Sequence, residues 1–171
     1  SLAVTLHGCY MAVTWLASQE STDFLADFDR AITQAGRSIL FMGSVHMLDV
    51  SPSSLSPLSR IWCIYEIWRT VSNGCELRVV LPAANAFDTC FHALLVCAGR
   101  CDGHVDVGKA HATDPKDLDM ILGRIGTEQE AVNRGVELAL RESARTILKT
   151  QWHGGGEYGP VWTDTQIDHV I

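Results

Sequence analysis

An α/β fold, with an open and mostly parallel sheet flanked by helices, is what the order of apolar patterns along this chain predicts. Three observations carry that expectation. Residues 10–17, 38–42 and 77–82 are short runs rich in aliphatic and aromatic side chains, with the length of buried strands. Between them, apolar residues recur every three or four positions, as they do on one face of a helix. Strand, helix, strand, helix, strand is the order that gives parallel strands joined by crossovers of one hand. At 171 residues with 47% hydrophobic content, the chain suffices for one domain with a sizeable core.

The first strand, residues 10–17, leads through a polar connection at 18–22 into a helix. Phe24, Leu25, Phe28, Ala31, Ile32 and Ala35 fall on one face of it, and Gly36 stops the pattern. Residues 38–42 form the next strand, and the serine- and proline-rich stretch 43–56 a long loop. Ser56 then caps a helix with Pro57 in its first turn, where a missing N–H costs nothing, and Asn73-Gly74 ends it. On that helix Ile61, Ile64, Tyr65, Trp68 and Val71 share one side. Ser59, Trp62, Cys63, Glu66 and Arg69 recur on another, which is expected to line a cleft.

The strand at 77–82 closes on a proline. Residues 87–98 read as helical, and 105–107 as a short strand. Asp114 and Pro115 supply a cap and a first-turn proline for a helix bearing Leu118, Ile121, Leu122 and Ile125. Thr127 and Glu130 have the spacing of a capping box, ahead of a long helix with Val132, Val136, Ala139, Leu140, Ser143 and Ile147 on one side. The expected organisation is thus one α/β domain over residues 1–150 and a polar, glycine-rich tail at 151–171.

A formal charge of -7, with no cluster of lysine or arginine, argues against nucleic acid as a partner. No apolar run reaches the roughly 18 residues that a membrane span needs. The start is short, uncharged and without Met, which predicts a segment whose true N-terminus lies upstream. Six cysteines are dispersed instead of forming the dense framework of a small secreted domain, so a reducing, cytoplasmic compartment is expected. Cys90, His92, Cys97, Cys101 and His104 form the tightest group of sulfur and nitrogen, but no pair has a Cys-x-x-Cys spacing, and no metal is expected there.

Glu66 is the most informative residue. It lies in the aromatic, apolar run Ser59-Arg60-Ile61-Trp62-Cys63-Ile64-Tyr65-Glu66-Ile67-Trp68, where burial of a carboxylate costs several kcal/mol unless it is paired or used. Ligands of parallel sheets sit at the carboxyl ends of strands. The loop at 43–56 leaves one such end, so it and the start of the Glu66 helix should border the site. Gly43-Ser44, directly after a strand, places Ser44 where a phosphate can approach, without the wider glycine pattern of a dinucleotide fingerprint.

The string "SRIWCIYEIW" followed by "ELRVVLP" resembles the part of TIR domains in which a serine-rich loop, a Trp-Cys-x-x-Glu helix and a Val-Leu-Pro strand occur in succession. It is similar in particular to TIR-like segments of algal and protist proteins that carry an Arg-x-Trp-Cys-x-x-Glu motif. The preceding "FDRAITQAGRSILFM" resembles the helix and strand before that motif, so the likeness spans residues 10–82. The later "VDVGKAHATDPKDLDMIL" is like the C-terminal half of the same proteins. The resemblance implies a TIR/flavodoxin-like three-layer sandwich, here with its first strand missing or upstream.

Many TIR domains cleave NAD at the nicotinamide–ribose bond with the glutamate of that motif. The resemblance therefore implies Glu66 as catalytic residue, with Ser59, Trp62 and Cys63 as motif neighbours and NAD as substrate rather than permanently bound cofactor. The pyridinium leaves as neutral nicotinamide without being protonated, so the two carboxylates of ordinary glycoside hydrolysis reduce to one. That carboxylate holds the ribose hydroxyls and stabilises the oxocarbenium-like transition state, and water or the adenine ring accepts the ribosyl group. Trp62 is placed to stack on a ring, and the helix start with Arg60 to attract a phosphate. TIR sites resemble half-sites completed by a neighbour, which implies homotypic self-association.

Plainer readings stand beside this one. Glu66 can pair with Arg69 on a solvated helix face, and Trp62 and Trp68 can be core or contact residues. A TIR-like module that signals by self-association without turnover, and a nucleotide sensor that binds without turnover, are the other two function classes.

Overall fold

The computed structural model describes residues 4–5, 23–42, 58–81, 91, 94 and 105–150. β1 (Val4–Thr5), β2 (Arg37–Phe41) and β3 (Glu76–Val80) run parallel in the order β1-β2-β3. Their register sets Val4 opposite Ser38 and Ile39 opposite Arg78. On β2 the pleat buries Ser38 and Leu40 while Arg37 stays exposed. The chain is therefore α/β with an open parallel sheet, as its pattern predicts. A strand precedes the first helix at Val4–Thr5, beside β2, where the resemblance implies a first strand that is missing or upstream. Two residues carry no period, so only their pairing with β2 defines them. Residues 10–17, expected to be a strand, lie outside the described residues.

Helix α1 (Phe24–Ala35) starts where Asp23 accepts from the Ala26 N–H at 3.0 Å. It ends at Gly36, whose φ of 68° is open to glycine at little cost, and whose N–H returns to the Ile32 carbonyl. Leu25, Phe28 and Ile32 are its buried face.

Helix α2 (Ile61–Ser72) begins later than the sequence pattern implies. Arg60 occupies its cap position without a side-chain hydrogen bond, in place of the expected Ser56 and Pro57. The cause is tertiary. The His111 N–H donates to the Ser59 carbonyl at 2.9 Å and the Ile61 N–H to the His111 carbonyl at 3.0 Å, so Arg60 is held extended in a parallel bridge. A chain pinned in that conformation turns helical only at Ile61. The far end is as expected: Asn73 and then Gly74, with φ 68°, terminate the helix and turn it into β3.

Residues 105–107 do not form the expected strand. A single 3-10 turn covers Val107–Lys109, capped by Asp106, which accepts from the Gly108 N–H at 3.0 Å. The Val107 N–H is taken by Asn133 Oδ1 at 2.8 Å, so a side chain replaces the sheet ladder. Helix α3 (Pro115–Ile125) starts on Asp114 and Pro115 as predicted. Helix α4 (Gln129–Thr150) starts one residue beyond the position that a Thr127 cap requires, and the Glu128 carbonyl accepts the first helical N–H, from Val132. The expected capping box is therefore out of register.

The core centres on α2, which packs against β2 and β3 and is flanked by α1 and α4. Helix α4 passes Trp68 at Gly135, where even a Cβ would stand 3.6 Å from Trp68 Cδ1, in ordinary contact. Phe91 and Leu94 are helical and buried. The rest of 87–98, the loop 43–56 and the tail 151–171 lie outside the described residues.

Candidate functional site

Seven successive residues of α2, Ile61 to Ile67, are buried, and so is Thr70. The side of the helix carrying Trp62, Cys63 and Glu66 is therefore interior and does not line an open cleft; Glu66 is 2% exposed and Trp62 7%. Two neighbouring helices, α1 and α3, cover Trp62. Trp62 meets the rings of Phe24 and Phe28 of α1, with centroids at 5.7 and 5.4 Å, and donates its indole N–H to Asp117 Oδ2 of α3 at 2.8 Å. It is a pin through α1, α2 and α3, with its one polar atom satisfied as a buried indole requires. Cys63 is buried in the same core, 2% exposed. Ser59 and Arg60 are half-buried at the bridge to His111, just before the first turn of α2. Ser44 lies outside the described residues.

Around Glu66 the backbone is held by hydroxyls. Thr70 Oγ1 donates to the Glu66 carbonyl at 2.7 Å and stands 2.8 Å from Ser38 Oγ of β2. Thr70 has one hydroxyl proton and spends it on that carbonyl, so Ser38 is the donor in the second bond. Glu66 sits one helical turn above this contact, toward the end of α2 that the β2 carboxyl edge faces.

Arg69 turns elsewhere. Its Nε donates to Asp29 Oδ1 of α1 at 2.9 Å, its guanidinium lies 5.2 Å from the centre of the Trp68 ring, and the Tyr65 hydroxyl donates to the same Asp29 oxygen at 3.2 Å. The plain reading of a solvated Glu66–Arg69 pair is thus corrected on both counts: the face is interior, and the described ion pair of Arg69 is with Asp29. Burial first, and then the charge and hydrogen bond of Asp29, push the Tyr65 phenol up to about 12.

Sequence reasoning finds Glu66, Trp62 and Cys63 on one helix, and the structure brings them into one buried region, with Ser59 and Arg60 half-buried just before the first turn. It does not find Asp29, Ser38, Thr70 or Asp117. Only Thr70 had a legible signal, its four-residue spacing from Glu66. The other three meet α2 across 32 to 55 positions of sequence, which no local pattern encodes.

Among the described residues no three His, Cys, Asp or Glu side chains gather as metal ligands, and no helix is long and apolar enough to cross a membrane. The Cys90, His92, Cys97, Cys101 and His104 group lies outside them. No protein-family model, curated protein or solved structure matches the chain.

Proposed function

We propose that this chain is a TIR-like domain of the three-layer kind that cleaves NAD at the nicotinamide–ribose bond, by hydrolysis or cyclisation, in a cytoplasmic signalling role. The observation that carries the reading is Glu66, a carboxylate 2% exposed in the interior helix that follows β2 of an open parallel sheet. Desolvating a carboxylate in an apolar helix costs several kcal/mol, and the same low-dielectric setting is where its charge acts most strongly on a bound cation-like transition state. In the cleavage, Glu66 holds the ribose hydroxyls and stabilises the positive charge that develops as nicotinamide departs. Arg60 and Ser59, half-buried at the mouth of α2, suit the diphosphate.

Such burial adds a condition: the carboxylate is reached only when its cover opens, which couples turnover to a conformational or assembly step. Homotypic association is the natural trigger, so activity per molecule should rise with protein concentration. The test is nicotinamide release from NAD by the wild type, Glu66→Gln, Glu66→Ala and Arg69→Ala at high concentration. Both Glu66 variants should lose turnover and keep the fold, whereas Arg69→Ala should lose stability through Asp29 and keep turnover. A wild type that releases no nicotinamide even when assembled overturns the reading.

A second reading is a TIR-like module that signals by self-association alone. The packing of Trp62 and Cys63 into the core favours it, since neither is presented to a ligand. Concentration-dependent association without nicotinamide release would establish it.

A further inference from the structure

Two hydroxyl side chains are buried where apolar ones would fit. Ser38 on β2 and Thr70 on α2 are each 0% exposed, within a core that, Glu66 apart, is built of apolar groups among the described residues. A buried hydroxyl is unfavourable unless bonded, whereas an apolar pair of the same shape is close to neutral or stabilising. Fold stability alone therefore gives little reason for this pair.

Their geometry supplies another reason. Ser38 donates to Thr70 at 2.8 Å and Thr70 donates to the Glu66 carbonyl at 2.7 Å, so a directed chain of hydrogen bonds runs from the middle of the sheet to the residue that carries the buried carboxylate. A threonine that bonds back to the carbonyl four residues earlier bends the helix slightly at that turn. Here the bending hydroxyl is itself fixed by a strand. The Glu66 turn is thus registered to β2 by oriented bonds, in addition to the packing of its apolar neighbours.

We propose that Ser38 and Thr70 are positioning residues for Glu66 and set where its carboxylate meets the ribose of the substrate. This rests on the reading of Glu66 as the catalytic carboxylate. Neither hydroxyl touches the reacting atoms; both act through the Glu66 backbone. Misplacement of a catalytic group by about 1 Å can cost on the order of a hundredfold in rate, so a chain worth little to stability can matter to turnover.

The experiment measures kcat and KM for nicotinamide release per folded molecule, together with thermal unfolding, for the wild type, Glu66→Gln, Thr70→Val, Thr70→Ser, Ser38→Ala and the Ser38→Ala/Thr70→Val double variant. Thr70→Val keeps the shape and removes both bonds. It should lower kcat about tenfold or more with KM within about twofold, while Thr70→Ser restores most of the rate. The double variant should be no slower than Thr70→Val, because the chain is already broken. A merely structural role predicts a lower folded fraction with unchanged kcat per folded molecule, and that result overturns the proposal. So does a rate loss that Thr70→Ser fails to reverse. If Thr70→Val does not fold, Ser38→Ala decides on the same criteria. A wild type without turnover, or an active Glu66→Gln, removes the catalytic reading and this proposal with it. A Glu66-dependent wild type whose rate ignores Thr70→Val removes the positioning role alone.

Discussion

Helices α2 and α4 have similar apolar stripes in sequence and different surroundings in the fold. On α4, Val132, Val136, Leu140, Ala144, Ile147 and Leu148 are buried while Leu138 and Glu142 stay exposed, so its periodicity states which face meets the protein. On α2 every residue from Ile61 to Ile67 is buried, and periodicity states nothing of the kind. A peripheral helix has one partner surface and one solvent surface, and its sequence records the boundary. A central helix enclosed by α1, α3, α4 and the sheet has no such boundary to record. Its less apolar side, with Trp62 and Glu66, looks like a cleft lining in sequence and is an interior surface in the fold.

The strongest way to break this comparison is a truncation at the centre of α2. Ile64 is fully buried, and Ile64→Ala should cost about 2–5 kcal/mol in urea unfolding, since the lost transfer energy is joined by a cavity that enclosing elements cannot collapse. A cost below about 1 kcal/mol would mean that α2 is not enclosed.

Next in size is the pin through three helices. Trp62→Phe keeps a ring between Phe24 and Phe28 but leaves Asp117 Oδ2 without the indole donor, and should cost about 1–3 kcal/mol. A double-mutant cycle with Asp117→Ala separates the bond from the packing. If the two changes are additive, the 2.8 Å contact contributes nothing and α3 is held to α2 by packing alone.

Tyr65 sharpens the comparison through pH. Burial and Asp29 push its folded pKa up to about 12, from the ordinary phenol value of 10.0. The unfolded phenol therefore ionises first as pH rises, and the stability that the neutral, Asp29-bound phenol contributes is full below about pH 10 and lost as pH passes through about 12. Thermal unfolding temperature should fall more steeply between those values in the wild type than in Tyr65→Phe. Parallel slopes would show that the phenol meets water in the folded chain.

Much of the fold was legible because its signals are local. Gly36, Asn73, Gly74, Asp114 and Pro115 mark helix ends by their own backbone chemistry, and they do so in the structure. Two of the misread segments share one cause. At Arg60 and at Val107 a distant residue, His111 or Asn133, takes the backbone hydrogen bonds that local patterns assign elsewhere. The candidate site divides in the same way. Glu66 stands out because a charge in an apolar run is a local anomaly, whereas its supports come from another strand and other helices. Asp29 reads as one acid among several on α1 until α2 is laid against it.

The smallest effect tests the other side of the comparison. Leu138 is 54% exposed, the one large hydrophobic side chain to stand out among the described residues, and it lies on the outer face of α4. A leucine more than half exposed on an outer helix face contributes little, so Leu138→Gln should change the unfolding free energy by less than about 0.5 kcal/mol, roughly a tenth of the upper value for Ile64→Ala. The measurement is made at two protein concentrations a hundredfold apart, because a face that meets solvent in one molecule can meet a neighbour at higher concentration. A small effect at both concentrations confirms α4 as a helix with a true solvent face. A loss above about 1 kcal/mol that appears only in the concentrated sample would show that association covers this face, and that α4, like α2, is then enclosed on more sides than its own chain supplies.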